Sequence, residues 1–404
     1  MRMSKRSIPL LLLSLIFALL PTSSARAIDV PGAFTFTGAG YGHGVGMSQI
    51  GARAMALAGE SATSILTYYF KDVTVEPVVD TATIRVNVGH ALSTISFSPS
   101  KNAVLQVFAG EIASSDTSTA PSLIARKKIT FTPSKDKKSV TGALNAPSIT
   151  LRWRESTLPT VTMTHGTISE RYRYGQIQIR IVKGLMEVTN SLSLHDEYLL
   201  GISEVSSSWP AAVLEAQTIA ARSYALSKMG TIKPACDCNV YAHIADQNFV
   251  GYTKEAEPKY GAIWRAAVLR TVVDTSTGLA ILSNGVPIQA YYFSSSGGAT
   301  QTTADAWGGF TSYTQSVPDS ASVNTAFNPR FASWSATTTQ SLVAQAFGLP
   351  DVVLLEIQSR NSAGAVTWIK GTSTTGATKV LRGDTFRSRA KLPSPWFTLV
   401  AVQN

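Results

Sequence analysis

Residues 191–230 read SLSLHDEYLLGISEVSSSWPAAVLEAQTIAARSYALSKMG. Tyr198, Leu199, Ile202 and Val205 recur at spacings of three and four, which predicts a helix over 194–206. Ser193, with Asp196 three residues later, resembles a capping box. Pro210 interrupts the pattern. The alanine-rich run from Ala211 to Lys228, closed by Gly230, predicts a second and stronger helix. Glu204 falls at the end of the first element, one turn after Leu200 on an otherwise apolar face. A carboxyl on apolar ground holds its proton to higher pH, because desolvation disfavours the anion. That is the state a general acid needs near neutral pH. On pattern alone, an exposed glutamate at a helix end is the stronger alternative.

Upstream, Gly38 to Gly46 is a glycine-dense stretch holding His43. A helix from Ser48 to Ala58 follows, with Ile50, Ala54 and Leu57 at helical spacing and Gly59 as its stop. Ser61 is placed to cap a second short helix carrying Ile65, Leu66 and Tyr69. Residues 80–190 read as strands: Thr83 to Val88 and Ile177 to Ile181 alternate, and the polar stretch 111–147 reads as loops between short strands. Residues 231–260 read as a long irregular loop, a feature that is usually functional or mobile. Helix and strand follow through Thr271–Val273 and Leu279–Leu282. The tail, 338–404, reads as one helix and a few strands, and no internal repeat is visible.

The chain has 404 residues, 44% of them hydrophobic and 15% charged, which is ample for a buried core and unlike a coiled coil or a disordered chain. Residues 1–27 read as a signal peptide: Arg2, Lys5 and Arg6, then the apolar run Ile8 to Leu20, then Ala25-Arg26-Ala27 as a cleavage site. An uncleaved membrane anchor is the lesser alternative. Removing that leader takes away four basic residues and no acid, so the formal charge falls from +10 to +6. No Lys/Arg cluster is interleaved with aromatics, so nucleic acid is not read as a partner; mild basicity suits an anionic wall polymer. Cys236 and Cys238, with His243 nearby, leave three readings open: a disulfide, a zinc site or free thiols.

The segment Leu194 to Leu226 contains Tyr198-Leu199-Leu200-Gly201, Glu204, Trp209-Pro210, Leu214-Glu215-Ala216-Gln217 and Ala220-Ala221-Arg222-Ser223-Tyr224-Ala225. It resembles the signature of the stage II sporulation protein D family, which includes amidase-enhancer proteins. Three further blocks are similar to that family's. Gly42-His43-Gly44-Val45-Gly46-Met47-Ser48-Gln49 with Gly51-Ala52 resembles GHGxGMSQxGA. Asp246-Gln247 with Gly251-Tyr252 resembles its substrate loop. Ala290, Tyr292, Ser294, Ser296-Gly297-Gly298 and Thr300 resemble A-x-Y-x-S-x-S-G-G-x-T. The glycine–histidine block comes first here, a permuted order relative to the family, and Phe293 stands where relatives often have a polar residue.

The leader implies export, and the resemblance implies a protein acting on peptidoglycan glycan strands, with Glu204 as the catalytic acid/base of a lytic transglycosylase. It implies substrate contacts at His43, Gln49, Gln217, Arg222, Gln247, Tyr292, Ser294 and Ser296, although Ser48 reads better as a helix cap. Zinc, through Cys236, Cys238 and His243, is the one cofactor to test. A non-catalytic wall-binding protein that enhances an amidase, or a hydrolytic muramidase with a second carboxylate such as Glu197, Glu215 or Asp246, are the rival functions. The expected fold class is α+β: a helical catalytic core packed on a mixed sheet, with a mostly β inserted subdomain. The expected boundaries are 28–79 for the N-terminal segment, 80–165 for the β-rich subdomain, 166–335 for the core and 336–404 for the C-terminal tail.

Overall fold

The computed structural model describes residues 29–403; the expected leader, 1–27, lies outside them. The alternating segments form two sheets. One runs in the order Val240–Tyr241, Thr83–Leu92, Leu185–Ser193, Gln176–Val182, Ser148–Arg154, Val104–Ala109, Leu123–Ala125. The other runs Ile168–Tyr172, Val161–His165, Ile95–Pro99, Ile129–Pro133, Val140–Gly142. The inward residues of both, among them Phe97, Phe131, Trp153 and Ile179, share one apolar core with Tyr198, Leu199, Leu214 and Trp264 of the helical part. The mixed architecture is α+β. The strands do not stop at 165. That position ends one arm of the hairpin Val161–Tyr172, and the sheet continues to Ser193.

The helix Ala211–Lys228 is the central element. Buried residues run from Val213 to Ala225, which is why its sequence shows no single apolar stripe. Small side chains at Ala216, Ala220, Ala221 and Ala225 let neighbours approach closely. The helices Gln49–Leu57, Ala62–Tyr69 and Gly261–Arg270 and the strand Thr277–Ser283 pack on it. The two N-terminal helices begin as their sequence predicts: Ser48 Oγ accepts from Gly51 N–H at 3.2 Å and Ser61 Oγ from Ser64 N–H at 3.1 Å.

The expected helix over 194–206 is corrected. A π-helical turn, Leu194–Tyr198, forms and runs on as helix only through Leu199 and Leu200. Past Gly201 the backbone turns outward to pair with 248–250: Ser203 N–H donates to Asn248 O at 2.8 Å and Val250 N–H to Gly201 O at 2.9 Å. A Cβ at position 201 would lie 2.3 Å from the Phe249 ring, so glycine permits this close crossing. Glu204 therefore stands on a strand-like crossing and is not stacked one helical turn above Leu200. Ser193 makes no side-chain cap; only the reciprocal bond exists, Glu197 Oε2 accepting from Ser193 N–H at 2.9 Å.

The C-terminal region is more than a tail. Strand Ala33–Gly38 lies between Trp334–Thr339 and Phe397–Gln403, so the first described strand is built into the last part of the chain. Phe34, Phe36, Phe347, Phe386 and Phe397 form its separate core, with two helices, Gln340–Phe347 and Gly383–Arg389, where one was expected. No helix among the described residues is long and apolar enough to cross a membrane.

Candidate active site

A groove of about 910 Å³ runs between the helical core and the C-terminal region. Glu204 lines it, with Gln49, Asp246, Tyr292 and Ser294 from the core. Arg330, Phe331, Arg387 and Lys391 line it from the C-terminal side. Glu204 Oε1 accepts from Asn248 N–H at 2.7 Å and from the Tyr292 hydroxyl at 3.1 Å. Its Oε2 has no hydrogen-bond partner among the described residues. Burial raises the carboxyl above the usual glutamate range, and the two hydrogen bonds oppose that shift without cancelling it.

The Tyr292 hydroxyl has its direction fixed. Tyr198 donates to Gln247 Oε1 at 2.7 Å, and Gln247 Nε2 donates to the Tyr292 oxygen at 2.9 Å and to Ala221 O at 3.4 Å. The Tyr292 proton is therefore left for Glu204. Gln247 is wholly buried, so it orients Tyr292 rather than touching a ligand.

The first glycine block reaches this groove because Tyr292–Phe293 pairs in parallel with Met47–Ser48. Gly46 has φ 79°, and a Cβ there would fall 2.1 Å from Tyr291 O; only glycine fits. His43 Nδ1 accepts from Val45 N–H at 3.1 Å. Burial lowers its pKa to about 4, so the ring is neutral. It packs against Trp307, Phe293 and Tyr291 with centroids 5.2, 5.6 and 6.3 Å away. The edge of His43 faces both the groove and an adjoining cavity of about 230 Å³ walled by Tyr291, Trp307 and Asp246.

Glu204, expected to be catalytic, and His43, Gln49, Tyr292 and Ser294, expected to bind substrate, line the groove. Gln247, buried as described, and three others are corrected. Gln217 is fully buried and meets the groove only through Gln49, whose Nε2 donates to its Oε1 at 3.2 Å. Ser296 is buried, donating to Asp319 Oδ2 at 2.6 Å beside Ser322 and Tyr69. Arg222 is buried against Asp80, its Nε 2.7 Å from Oδ2. Each was placed by its family block, and burial removes it from ligand.

The zinc reading is corrected too. Cys236 and Cys238 are joined in a disulfide, so neither can offer a thiolate, and His243 is exposed, stacking on Tyr241. The loop is tied to strand Thr83–Leu92 through Arg85 Nε to Asp237 O at 3.0 Å and Asn239 N–H to Arg85 O at 2.9 Å. Replacing both cysteines with serine opens a very small ring, so a loss of no more than about 1.5 kcal/mol is expected in denaturant melts.

Sequence reading missed Asn248, whose backbone amide holds Glu204, although it follows Gln247 directly. It also missed Arg330, Arg387 and Lys391, for which no local signal exists, and Tyr198, which read simply as core. In comparison with known proteins, residues 183–277 match the model of a family described as Stage II sporulation protein (SpoIID). No curated protein matches the chain. The matched segment runs from the end of the large sheet through Glu204, the disulfide loop and Asn248 to the start of strand Thr277–Ser283.

Proposed function

Through residues 183–277 the chain belongs to the stage II sporulation protein family, and from that premise we propose that it is an exported lytic transglycosylase that cuts peptidoglycan glycan strands with Glu204 as its one acid/base. Family membership ties the chain to the bacterial cell wall in general. The finer reading is carried by one observation: a half-buried carboxyl in a long groove, with both hydrogen-bond donors on Oε1 and Oε2 left free. In its protonated form Oε2–H is the donor for a glycosidic oxygen.

The chemistry needs no second carboxylate. Oε2 gives its proton to the leaving O4 as the C1–O4 bond of the muramic residue breaks. The resulting carboxylate takes the proton of that residue's C6 hydroxyl, and O6 closes on C1. The product is a 1,6-anhydro sugar, no water is consumed, and Glu204 ends protonated. Asn248 N–H and Tyr292 O–H hold the transient anion.

The acids considered for a hydrolytic partner are otherwise engaged. Asp246 accepts from the Tyr224 hydroxyl and Tyr241 N–H, each at 2.8 Å, and pairs with Lys233. Glu215 pairs with Arg270, and Glu197 accepts from Ser193 N–H at 2.9 Å. That occupancy supports a single-carboxyl mechanism over the muramidase reading, in which a free carboxylate must activate water or attack C1.

The test is digestion of purified glycan strands with products read by mass. Anhydro-muropeptides support the proposal. Products heavier by one water point to a muramidase, and no product at all points to a binding protein that enhances another enzyme. Tyr292→Phe removes one donor from Oε1. Cleavage is expected to fall about 10²-fold. Because that bond lowers the carboxyl's pKa, its loss moves the alkaline limb of the rate profile to higher pH.

A further inference from the structure

We propose that the C-terminal wall of the groove is an anion subsite, in which Arg330, Arg387 and Lys391 bind carboxylates carried by the glycan strand. This rests on the glycan reading of the groove and adds the chemical feature it selects.

The three cations share one groove with Glu204. Among the described residues, Arg330 and Lys391 have no ion-pair partner, and both are exposed. Arg330 lies over the Phe331 ring at 4.9 Å, which holds its guanidinium on the wall. Arg387 is fixed through Nε to Asp384 Oδ1 at 2.8 Å, and Asp384 is itself shared with Trp307 Nε1 at 3.1 Å. Burial and two hydrogen bonds account for the state of Glu204, with no contribution from a cation. The basic wall therefore does not serve to ionise the acid; the unpaired charges of Arg330 and Lys391 are left for something that enters the groove, beside the Asp384-paired Arg387.

The wall is also rigidly placed. Gly42 N–H donates to Pro393 O at 3.0 Å, Gly40 N–H to Phe331 O at 2.7 Å and Ala39 N–H to Trp396 O at 3.1 Å. These bonds tie it to the same glycine block that abuts Tyr292. Lys391 follows helix Gly383–Arg389 with φ 58°, and Leu392 N–H closes the helix end on Arg387 O at 2.8 Å. Glycine is the residue that adopts this conformation freely. That geometry seats Lys391 on the groove wall just past the helix end.

A strand of N-acetylglucosamine alone is neutral. A strand containing muramic acid carries carboxylates, either on the lactyl group once the stem peptide is gone or on the peptide itself. The experiment measures binding to the Glu204→Gln protein, which leaves glycan uncut, of three probes: chitohexaose, peptide-stripped strands and intact strands. At about 0.01 M salt, stripped strands are expected to bind about tenfold more tightly than chitohexaose, and the gap is expected to close near 1 M salt. Lys391→Gly combined with Arg330→Gln is expected to close it at low salt as well, without lowering the melting temperature, since glycine suits position 391. That pattern assigns the lactyl carboxylate. Intact strands binding more tightly than stripped ones, with the same loss in the double variant, assigns the peptide carboxylates. Equal affinity for all three probes, unchanged in the variant, overturns the subsite and leaves the glycan reading standing. No binding by any probe overturns both.

Discussion

Glu204→Gln is expected to reduce glycan-strand cleavage by about 10⁴-fold while leaving the groove intact. The amide keeps an oxygen where Oε1 now accepts from Asn248 N–H and Tyr292 O–H, so the crossing of 201–204 with 248–250 is retained. What it lacks is a proton to give. The upper end of the usual range applies because the proposed mechanism uses the same group twice, as acid toward O4 and as base toward the C6 hydroxyl. The pH dependence has a fixed sign. Burial raises the folded carboxyl's pKa, so the competent protonated form is lost as pH rises through that value. The rate should show one descending alkaline limb, where a two-carboxylate hydrolase shows a bell. Stability follows the same linkage. The contribution of Glu204 is fully present below the unfolded glutamate value of about 4.3 and disappears as pH rises through the raised folded pKa. As that contribution is lost, wild type bears the cost of a half-buried acid that the glutamine variant does not. The variant should therefore melt higher at pH 7, with the difference vanishing in acid. Undiminished release of anhydro-muropeptides by the variant would remove Glu204 from the mechanism.

The parts of the molecule that were legible in sequence are those whose physics is local. Ser48 and Ser61 cap helices because an oxygen three residues before an amide needs no distant partner. The helix Ala211–Lys228 follows from propensity, and the strands 83–92 and 176–182 from alternation. Glu204 came from its block, not from periodicity, and periodicity put it on the wrong element. The apolar spacing of Tyr198, Leu199 and Ile202 is real, since all three are buried. But the backbone after Gly201 finds its partners in Asn248 and Val250, about fifty residues downstream, and that competition is invisible in a short window. The same limit hid the opposite wall. Nothing near Lys391 announces that Pro393 O will meet Gly42 N–H, a pairing across almost the whole chain. Arg222, Gln217 and Ser296 show the converse error. A family block marks residues that matter without saying whether they touch a ligand or hold the fold.

Arg222→Met should be the most destabilising single change in the core, costing about 3–5 kcal/mol. Arg222 and Asp80 are both fully buried. The guanidinium donates from Nε to Asp80 Oδ2 at 2.7 Å and from Nη1 to Thr271 Oγ1 and Leu279 O, each at 3.0 Å. His195 Nδ1 meets the other oxygen of Asp80. One residue thus joins the central helix, the π-helical turn before Glu204, the end of helix Gly261–Arg270 and strand Thr277–Ser283. Methionine fills much of the volume but takes the guanidinium from the buried Asp80, leaving His195 as its one side-chain partner among the described residues, and that loss of the cation supplies most of the cost. Asp80→Asn in the Arg222→Met background removes the charge and should recover part of it, so the double variant loses less than the sum of the singles. Denaturant unfolding of the four proteins measures the coupling. A second readout separates structure from substrate contact. At a temperature where the variants remain folded, their affinity for glycan strands should match that of the parent. Weakened binding with unchanged unfolding would instead restore Arg222 to the substrate site, and would require the buried ion pair to open when glycan binds.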